Sequence, residues 1–242
     1  IYSENGEDGI LEKIFDLLSS VTSDNKWCVE FGAWDGKYAS NTFNLIKSGW
    51  NGVYIEGDVK RFEDLINTSS EYPKIIPICA FVSYEKESKN NLDNLLSSTL
   101  IPDDFDLLSI DIDSFDLDVW NTFNGKPKVV CIEINSSVMP GIMQWHDGNN
   151  FIGNSFASTL ACAKDKGYTL VCHTGNMIFV RNDLMYLLNI EEIDLKYPER
   201  LFKSDWVSKS SSETLTFKFA KLILPTSIKN IVKKLFLMRI KN

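Results

Sequence analysis

The sequence has little of what marks several large classes of protein. Its 242 residues include two histidines and five cysteines, with no C-x-x-C pair of the kind found in zinc and redox sites. No run reaches the roughly 18 apolar residues that a transmembrane helix needs. The net charge of −8 argues against non-specific binding to nucleic acid. With 44% hydrophobic residues, the chain is instead typical of a globular protein with a substantial core.

The cysteines lie far apart, and most fall in apolar stretches with the pattern of strands or helices. They are Cys28, Cys79, Cys131, Cys162 and Cys172. Cysteines in such stretches are typical of buried free thiols, which persist in a reducing compartment. We therefore expect a cytoplasmic protein.

Charge is unevenly distributed along the chain. No acidic residue follows Glu213, whereas seven basic residues and many apolar ones do. A basic amphipathic segment is typical of an element that binds a membrane surface or a partner, or that packs on its own domain or a second subunit. The sequence therefore predicts a main domain over residues 1–215 and a basic amphipathic tail over 216–242. The tail would contact the inner face of the membrane or support a homo-oligomer.

Short apolar runs alternate with helical patterns along most of the chain. Strands are predicted at 27–31, 52–58, 75–82, 105–113, 128–135, 169–173 and 177–181, and helices at 10–18, 42–48, 61–67, 91–97, 116–123 and 155–166. Such alternation implies a parallel sheet, and the short gap before the last strand indicates a hairpin. The predicted fold is a doubly wound α/β domain with a mainly parallel seven-stranded sheet and an antiparallel hairpin at its edge.

Glycines and acids cluster around the ends of the first two predicted strands. Gly32 allows a tight turn, and Gly36 allows a ligand to approach the backbone. Glu30 is an acid inside a buried strand, so it needs a partner, which the amides of the glycine turn or a ligand's ammonium group would supply. Glu56 ends the second strand, where an acid commonly accepts both ribose hydroxyls. The pattern favours a nucleoside-containing ligand.

One residue of this turn argues against a dinucleotide. Trp34 stands where the pyrophosphate-binding G-x-G-x-x-G pattern has its middle glycine. A bulky side chain there prevents close approach of a pyrophosphate to the backbone. Together with the hairpin, this disfavours a nicotinamide-dependent oxidoreductase.

The segment E-F-G-A-W-D-G (30–36), followed by I-E-G-D (55–58), resembles motif I and the acidic second strand of the class I S-adenosylmethionine-dependent methyltransferases. Within that group the chain resembles the FkbM-like family, many members of which O-methylate sugars and glycosylated metabolites. The resemblance continues through 3–10, 106–120, 129–135 and 151–171, and departs at Trp34 and Ser114, where glycine is expected. It implies S-adenosylmethionine as methyl donor and a hydroxyl of a nucleotide-activated sugar or a surface glycan as acceptor, as in polysaccharide biosynthesis.

The resemblance also implies which residues hold the donor. The methionine end would meet Glu30, Gly32, Ala33, Asp35 and Gly36. The ribose would bind Glu56, the adenosine would lie beside Asp58 and Arg61, and the adenine would be flanked by Ala80 and Phe81.

Acidic residues end the fourth and fifth predicted strands. Residues two apart on a strand face the same side, so Asp111 and Asp113 are expected to project together, with Glu133 nearby. Like charges held close need a cation or a shared proton, and oxygen ligands suit Mg²⁺ or Mn²⁺. The sequence thus predicts a metal site of Asp111, Asp113 and Glu133. The alternatives are that Asp111 caps the following helix, Asp113 is solvated and Glu133 pairs with a lysine.

The two histidines have different expected roles. His146 lies in the long polar loop 136–154, where it would act as general base with Asp147 orienting it, ligate a metal, or be an ordinary loop residue. Asp111 is the other candidate for the general base. His173 lies on a strand of the hairpin and is expected to be structural.

Three functions remain open at this point. The first is an O-methyltransferase acting on a sugar hydroxyl, and the second is a methyltransferase of a non-sugar small metabolite. The third is a non-catalytic module that binds an adenosine ligand. The acids on the fourth and fifth strands argue against the third, because a binding module needs no charged cluster beside the methyl group.

Overall fold

The computed structural model of the protein describes residues 2–22, 26–148 and 153–203. The predicted tail (216–242) and the domain boundary at residue 215 lie outside the described residues, and both stay predictions. In chain order the helices and strands are α1 (Glu7–Leu17), β1 (Trp27–Phe31), α2 (Phe43–Lys47), β2 (Asn51–Glu56), α3 (Val59–Glu71), β3 (Ile75–Cys79), α4 (Leu92–Ser97), β4 (Leu107–Ile110), α5 (Asp116–Thr122), β5 (Val129–Glu133), α6 (Phe156–Lys166), β6 (Tyr168–His173), β7 (Asn176–Arg181) and α7 (Glu192–Lys196), with 3₁₀ helices at Asn182–Leu187 and Pro198–Leu201.

The strands form one seven-stranded sheet in the order β3-β2-β1-β4-β5-β7-β6. Strands β1 to β5 pair in parallel, and β7 is antiparallel to both of its neighbours, β5 and β6. This confirms the predicted fold class, including the hairpin at the edge. The strand order reverses between β1 and β4, which is where open α/β sheets place their ligands.

Helices cover both faces of the sheet. One apolar layer packs α4, α5 and α6 on the sheet through residues such as Leu96, Trp120 and Phe156. The other packs α1, α2 and α3 through residues such as Phe15 and Phe43. Because both faces are covered, every residue of β1 and β4 is buried, which explains their continuous apolar runs.

Several strands end earlier than the sequence predicted. The predicted ends at residues 58, 82, 113 and 135 become Glu56, Cys79, Ile110 and Glu133. The chain leaves the sheet at these points to begin the turns that precede the helices. The polar residues just beyond the strands therefore belong to loops at the carboxyl edge of the sheet, where the candidate site lies.

The cysteines are free thiols, as predicted, although their burial varies. Three of them are buried, Cys172 is half-buried and Cys79 is exposed. Among the described residues, no helix is both long enough and apolar enough to cross a membrane.

His173 has surroundings that match its predicted structural role. Its ring is 1% exposed and stacks on the ring of Phe202, with 5.1 Å between the centroids. The Nδ1 atom accepts a hydrogen bond from the backbone N–H of Lys203 at 3.0 Å, and Nε2 lies 3.2 Å from the Ser136 hydroxyl. Burial, with the positive charge of Lys203, lowers the pKa of His173 to about 4. The imidazole is therefore neutral at pH 7.

Candidate active site at the carboxyl edge of the sheet

A cleft of about 670 Å³ opens at the carboxyl ends of β1, β2, β4 and β5. Its walls include seven of the ten residues predicted to hold the donor, namely Glu30, Gly32, Ala33, Glu56, Arg61, Ala80 and Phe81. They also include all three predicted metal ligands, Asp111, Asp113 and Glu133. The fold thus brings together most of the predicted site around the point where the strand order reverses.

The segment before α1 forms another wall of the cleft. Asp8 is buried and accepts hydrogen bonds from the Tyr2 N–H at 2.7 Å and the Ser3 hydroxyl at 2.9 Å. Glu7 is fully buried and accepts a hydrogen bond from the Thr174 hydroxyl at 2.6 Å. Glu7 thus attaches the segment to the turn between β6 and β7, whereas the hydrogen bonds of Asp8 hold the segment together internally, and Glu4 lines the cleft.

Glu30 has different partners from those expected. Its carboxylate accepts hydrogen bonds from the Ser40 hydroxyl at 2.6 Å, the Asn41 N–H at 2.9 Å and the Thr42 hydroxyl at 2.6 Å. Burial raises its pKa, and these hydrogen bonds oppose that shift. The expectation that the glycine-turn amides hold Glu30 is wrong, because the loop before α2 supplies the partners. Its contact with the donor stays a prediction.

The glycine turn is shaped by packing inside the protein. A Cβ at Gly32, where φ is +75°, would lie 1.7 Å from the backbone oxygen of Asp111, so only glycine fits. Gly36 faces Leu65 and Tyr54, which a Cβ would meet at 2.8 and 3.2 Å. The expected opening for a ligand at Gly36 is thus filled by side chains of the protein.

Two other predicted donor residues stabilise local backbone and do not line the cleft. Asp35 accepts hydrogen bonds from the N–H groups of Lys37 and Tyr38 at 2.8 and 2.7 Å. Asp58 caps the N-terminus of α3 by accepting from the N–H groups of Lys60 and Arg61, which lowers its pKa. Donor contacts of Asp35, Gly36 and Asp58 stay predictions.

Glu56 is held rigidly by the backbone. One carboxylate oxygen accepts a hydrogen bond from the Trp34 N–H at 2.8 Å, and the other accepts from the Asp58 N–H at 2.7 Å. Trp34 has φ +48°, a conformation that favours glycine, and its bond to Glu56 helps to hold it there. The carboxylate is thus preorganised, with lone pairs left to accept ligand hydroxyls.

Aromatic rings and one cation border this part of the cleft. The guanidinium of Arg61 lies 4.0 Å from the centroid of the Trp34 ring, which is 40% exposed. The Phe81 ring is 74% exposed and lies over Gly57, where a Cβ would come within 2.3 Å of it. A large exposed ring on a cleft wall is available to stack on a planar ligand.

Asp111 and Asp113 are brought together by a turn, whereas the sequence predicted a continuous strand. The buried carboxylate of Asp116 accepts from the N–H groups of Ile112 and Ser114 at 2.8 and 2.9 Å. Asp113, between them, has φ +58°. The strand-alternation argument is therefore wrong, although its conclusion that the two acids lie close is correct. Ser114 needs no glycine, because the left-handed residue of the turn is Asp113.

The three acids form one cluster. Side-chain oxygens of Asp111, Asp113 and Glu133 lie within 4.8 Å of one another. Burial and the neighbouring negative charges raise the pKa of both Asp111 and Glu133, whose carboxyl groups are hydrogen-bonded to each other. Such a pair holds a proton between its members at neutral pH, or a cation in place of that proton. In the described part of the chain, no histidine or cysteine belongs to the cluster.

His146 lies outside the cleft wall. Its ring packs edge-on against Phe115, with 4.4 Å between the centroids, and Phe115 itself lines the cleft. The Nδ1 atom accepts a hydrogen bond from the Gly153 N–H at 3.1 Å, which leaves the proton of a neutral ring on Nε2. This arrangement offers no lone pair for proton abstraction, so the geometry favours Asp111 over His146 as general base.

Sequence reasoning missed other residues of the cleft wall. Glu4, Tyr38, Tyr84 and Phe115 line it, and Asp116 positions the acidic turn. The polar run Ser3–Asp8 was one available signal, because it contains three acidic residues next to the start of the first predicted helix. The aromatic residues lie in loops without periodicity and carry no such signal.

Comparison with known proteins supports the fold. The sequence matches no protein-family model and no curated protein. Among solved structures, the CurJ carbon methyltransferase matches with a TM-score of 0.50 at 8% identity, over 74% of this chain and 55% of that chain. Monomeric WbdD matches with a TM-score of 0.50 at 14% identity, over 74% and 42% of the two chains. The N-terminal domain of EvdMO1, crystallised with SAH and D-fucose, has a TM-score of 0.47 at 11% identity, over 72% and 82%.

The strand order, the antiparallel β7 and the two matches with a TM-score of 0.50 show one architecture. It is the Rossmann-like fold of the class I methyltransferases. At such low identities the likeness shows the fold alone.

Proposed function

We propose that this chain is an S-adenosylmethionine-dependent O-methyltransferase that acts on a hydroxyl group of a sugar. One observation carries the proposal: a single cleft joins a rigid acid and aromatic wall at β1 and β2 to a buried acid pair at β4 and β5. In this fold the first wall suits a nucleoside, and the second suits proton removal from an acceptor. The motif resemblance to the FkbM-like family supports a sugar as the acceptor.

The donor half of the cleft would bind the nucleoside. Both carboxylate oxygens of Glu56 are oriented by backbone N–H groups, so they can accept the two ribose hydroxyls without rearrangement. Phe81 would stack on the adenine, and Glu30 and Ala33 would border the methionine end. When bound, the donor supplies an electrophilic methyl group on a positively charged sulfur.

The acceptor half would orient the sugar and remove its proton. Carboxylates accept hydrogen bonds from sugar hydroxyls, and Asp111 lies on the cleft wall beside Glu133 and Asp113. Asp111 would take the proton of the attacking hydroxyl. A metal-assisted form of the reaction also fits these residues, because three carboxylate oxygens within 4.8 Å suit a hard cation such as Mg²⁺ or Mn²⁺. Such an ion would lower the pKa of the hydroxyl.

A methyl-transfer assay tests the proposal directly. We would incubate the full chain with S-adenosylmethionine and a panel of nucleotide-activated sugars and glycans, matched with hydroxylated metabolites that contain no sugar. Transfer to the sugars alone supports the proposal. Transfer to the other metabolites alone would assign a different acceptor class. Donor binding without transfer to any acceptor would favour a non-catalytic adenosine-binding module.

The location of the enzyme is a further part of the proposal. We infer a cytoplasmic protein whose basic tail (216–242) contacts the membrane surface or a second copy of the chain. Co-sedimentation with vesicles of anionic lipid, compared with neutral vesicles, tests the first contact. Light scattering of the full chain and of a chain ending at residue 215 tests the second.

A further inference from the structure

A second, much smaller cavity lies beside the acid pair. Its volume is about 30 Å³, room for one or two water molecules or an ion but too little for an organic substrate. Asp111 and Glu133 line both this cavity and the main cleft. The remaining lining residues come from the segment before α1, the loop before α2 and the β6–β7 turn; they are Glu4, Asn5, Ala39, Asn41, Gly175 and Asn176.

Asn176 is the residue that indicates an occupant. It lies directly opposite Glu133 in the antiparallel pairing of β5 with β7, so both side chains are on the same face of the sheet. It is 7% exposed, and its side-chain amide makes no hydrogen bond to any described residue. Because Asn176 lines the small cavity, an occupant of that cavity is a partner that its amide can bind.

Asn41 provides a second buried amide on the same cavity. It is 2% exposed, and its Nδ2 donates a hydrogen bond to the Ser109 hydroxyl at 3.1 Å. Within the described ranges its Oδ1 accepts no hydrogen bond. The cavity therefore presents carboxylate and amide oxygens.

The chemistry of the lining favours a cation. Among the described residues that line the cavity, none is basic, and none is a histidine or cysteine. Two adjacent carboxyl groups with amide oxygens beside them match the ligands of hard divalent cations and suit thiolate-seeking metals poorly. An anion would be repelled by these groups, whereas a cation can replace the proton that Asp111 and Glu133 otherwise share.

We propose that this cavity binds a divalent cation of the Mg²⁺, Mn²⁺ or Ca²⁺ class through Asp111, Glu133 and Asn176. The inference rests on the cation of the proposed function, to which it gives a position and a further ligand. The ion would lie on the side of the acid pair that faces the small cavity, with Asn176 as a ligand. A site formed with Asp113 would instead hold the ion on the side that faces the main cleft. The segment before α1 closes the cavity and limits exchange of the ion.

The test measures binding of the metal alone. We would titrate Mn²⁺ into the metal-stripped full chain without any donor, using calorimetry, and repeat the titration with Asn176→Ala, Asn176→Asp and Asp113→Asn. We expect one ion per chain and an affinity at least tenfold weaker in Asn176→Ala. Asn176→Asp should bind more tightly, because it adds a negative ligand, and Asp113→Asn should bind within about threefold of the original chain.

Thermal unfolding provides a second readout and guards against misfolding. Asn176→Asp should lower the melting temperature of the metal-free protein and enlarge the rise caused by Mn²⁺, because only the folded state binds the ion tightly. Asn67→Ala, at an exposed position on α3, is the matched control and should change neither quantity.

Three results would overturn the assignment. The first is the absence of Mn²⁺ binding to the original chain, which would mean that the cavity holds only water. The second is an unchanged Mn²⁺ affinity in folded Asn176→Ala, and the third is loss of Mn²⁺ binding in Asp113→Asn while Asn176→Ala binds normally. Titration of S-adenosylhomocysteine into the same samples reports the donor site separately. A chain that binds Mn²⁺ but no S-adenosylhomocysteine would refute the proposed function and leave this site standing.

Discussion

The two halves of the cleft hold their acids in opposite ways. In the donor half, Glu56 is satisfied by two backbone N–H groups, and Glu30 by two hydroxyls and one N–H group. In the acceptor half, Asp111 and Glu133 face each other, and burial raises the pKa of both. The donor half is therefore organised by neutral hydrogen-bonding groups, and the acceptor half by two carboxyl groups that share a proton or a cation.

This difference suits one half of the cleft to binding and the other half to chemistry. Carboxylates fixed by backbone amides are suited to binding, because their geometry is set before the ligand arrives. A buried carboxyl pair that shares a proton or a cation is suited to chemistry, because shifted pKa values concentrate at reacting groups. Changes in the donor half should alter affinity, and changes in the acceptor half should alter turnover.

The largest effect is expected from Asp111→Asn. Removing the group that takes the acceptor's proton should lower kcat about 10²- to 10⁴-fold and leave donor affinity within about twofold. Steady-state kinetics, with calorimetric titration of S-adenosylhomocysteine, measure both quantities. A variant that loses donor binding together with turnover would break the proposed separation of the halves.

Gly32 is the point where the two halves touch, and Gly32→Ala should destabilise the whole domain. The new Cβ would overlap the backbone oxygen of Asp111, and φ at this position is +75°. We expect the free energy of unfolding to fall by about 3 kcal/mol or more, measured by urea denaturation. Gly9→Ala in α1, where a Cβ meets nothing within 4 Å, is the control and should be neutral or stabilising. Equal stability of the two variants would refute the close approach.

Acid pH should destabilise the protein through His173. Its pKa in the folded state is about 4, below the unfolded value near 6.5, so the unfolded chain binds the extra proton first. His173 should therefore contribute no pH dependence above pH 6.5, and stability should fall by up to about 3 kcal/mol between pH 6.5 and 4.

Denaturation of His173→Gln over the same range measures this contribution. The variant should lose that part of the slope, which separates effects on the fold from effects on the acid pair. A slope identical to that of the original chain would assign the acid sensitivity elsewhere.

Glu56→Ala should weaken donor binding by about 1.5–3 kcal/mol, roughly 10- to 150-fold, since it removes hydrogen bonds to a charged group. Titration of S-adenosylhomocysteine measures the loss. Glu63→Ala, an exposed acid on α3, is the matched control and should bind normally. Unchanged affinity in Glu56→Ala would show that the ribose binds elsewhere and would contradict the assignment of this half of the cleft to the donor.

The smallest effect is expected from removal of the tail. A chain ending at residue 215 should bind S-adenosylhomocysteine with unchanged affinity, because the cleft residues that the structure describes all lie upstream. Only membrane association, oligomerisation or solubility should change. A folded truncated chain that fails to bind would show that the tail completes the site.

The sequence was sufficient to predict the order of strands and helices as far as β7, whereas α7 and the two 3₁₀ helices were not predicted. The apolar runs of β1 and the other parallel strands are long enough to be recognised, and the short gap before Asn176 correctly indicated the hairpin. Strand ends were less predictable. Asp58, Asp113 and Asn135 lie within three residues of apolar runs, and a pattern of residue types does not show whether such a residue still pairs with a neighbouring strand.

The candidate site was predicted in part. Seven donor residues and the three acids do line one cleft, because the carboxyl ends of neighbouring parallel strands must meet at one edge. The partners of Glu30 and the roles of Gly36 and Asp116 depend on contacts between segments distant in the chain. Local patterns carry no information about such contacts.

What the sequence determined by itself is therefore the alternation of elements, the parallel sheet and the edge to which the acids belong. These follow from the periodicity of apolar residues along the chain and from the backbone hydrogen bonds that pair neighbouring strands. The tertiary structure alone decided which hydrogen-bonding groups contact the carboxylates of Glu30 and Glu56. It also decided why residue 32 must be glycine and that Asn176 lies beside Glu133. Those outcomes are set by the register between β5 and β7 and by packing across the sheet, where atoms far apart in the chain come within a few ångströms of one another.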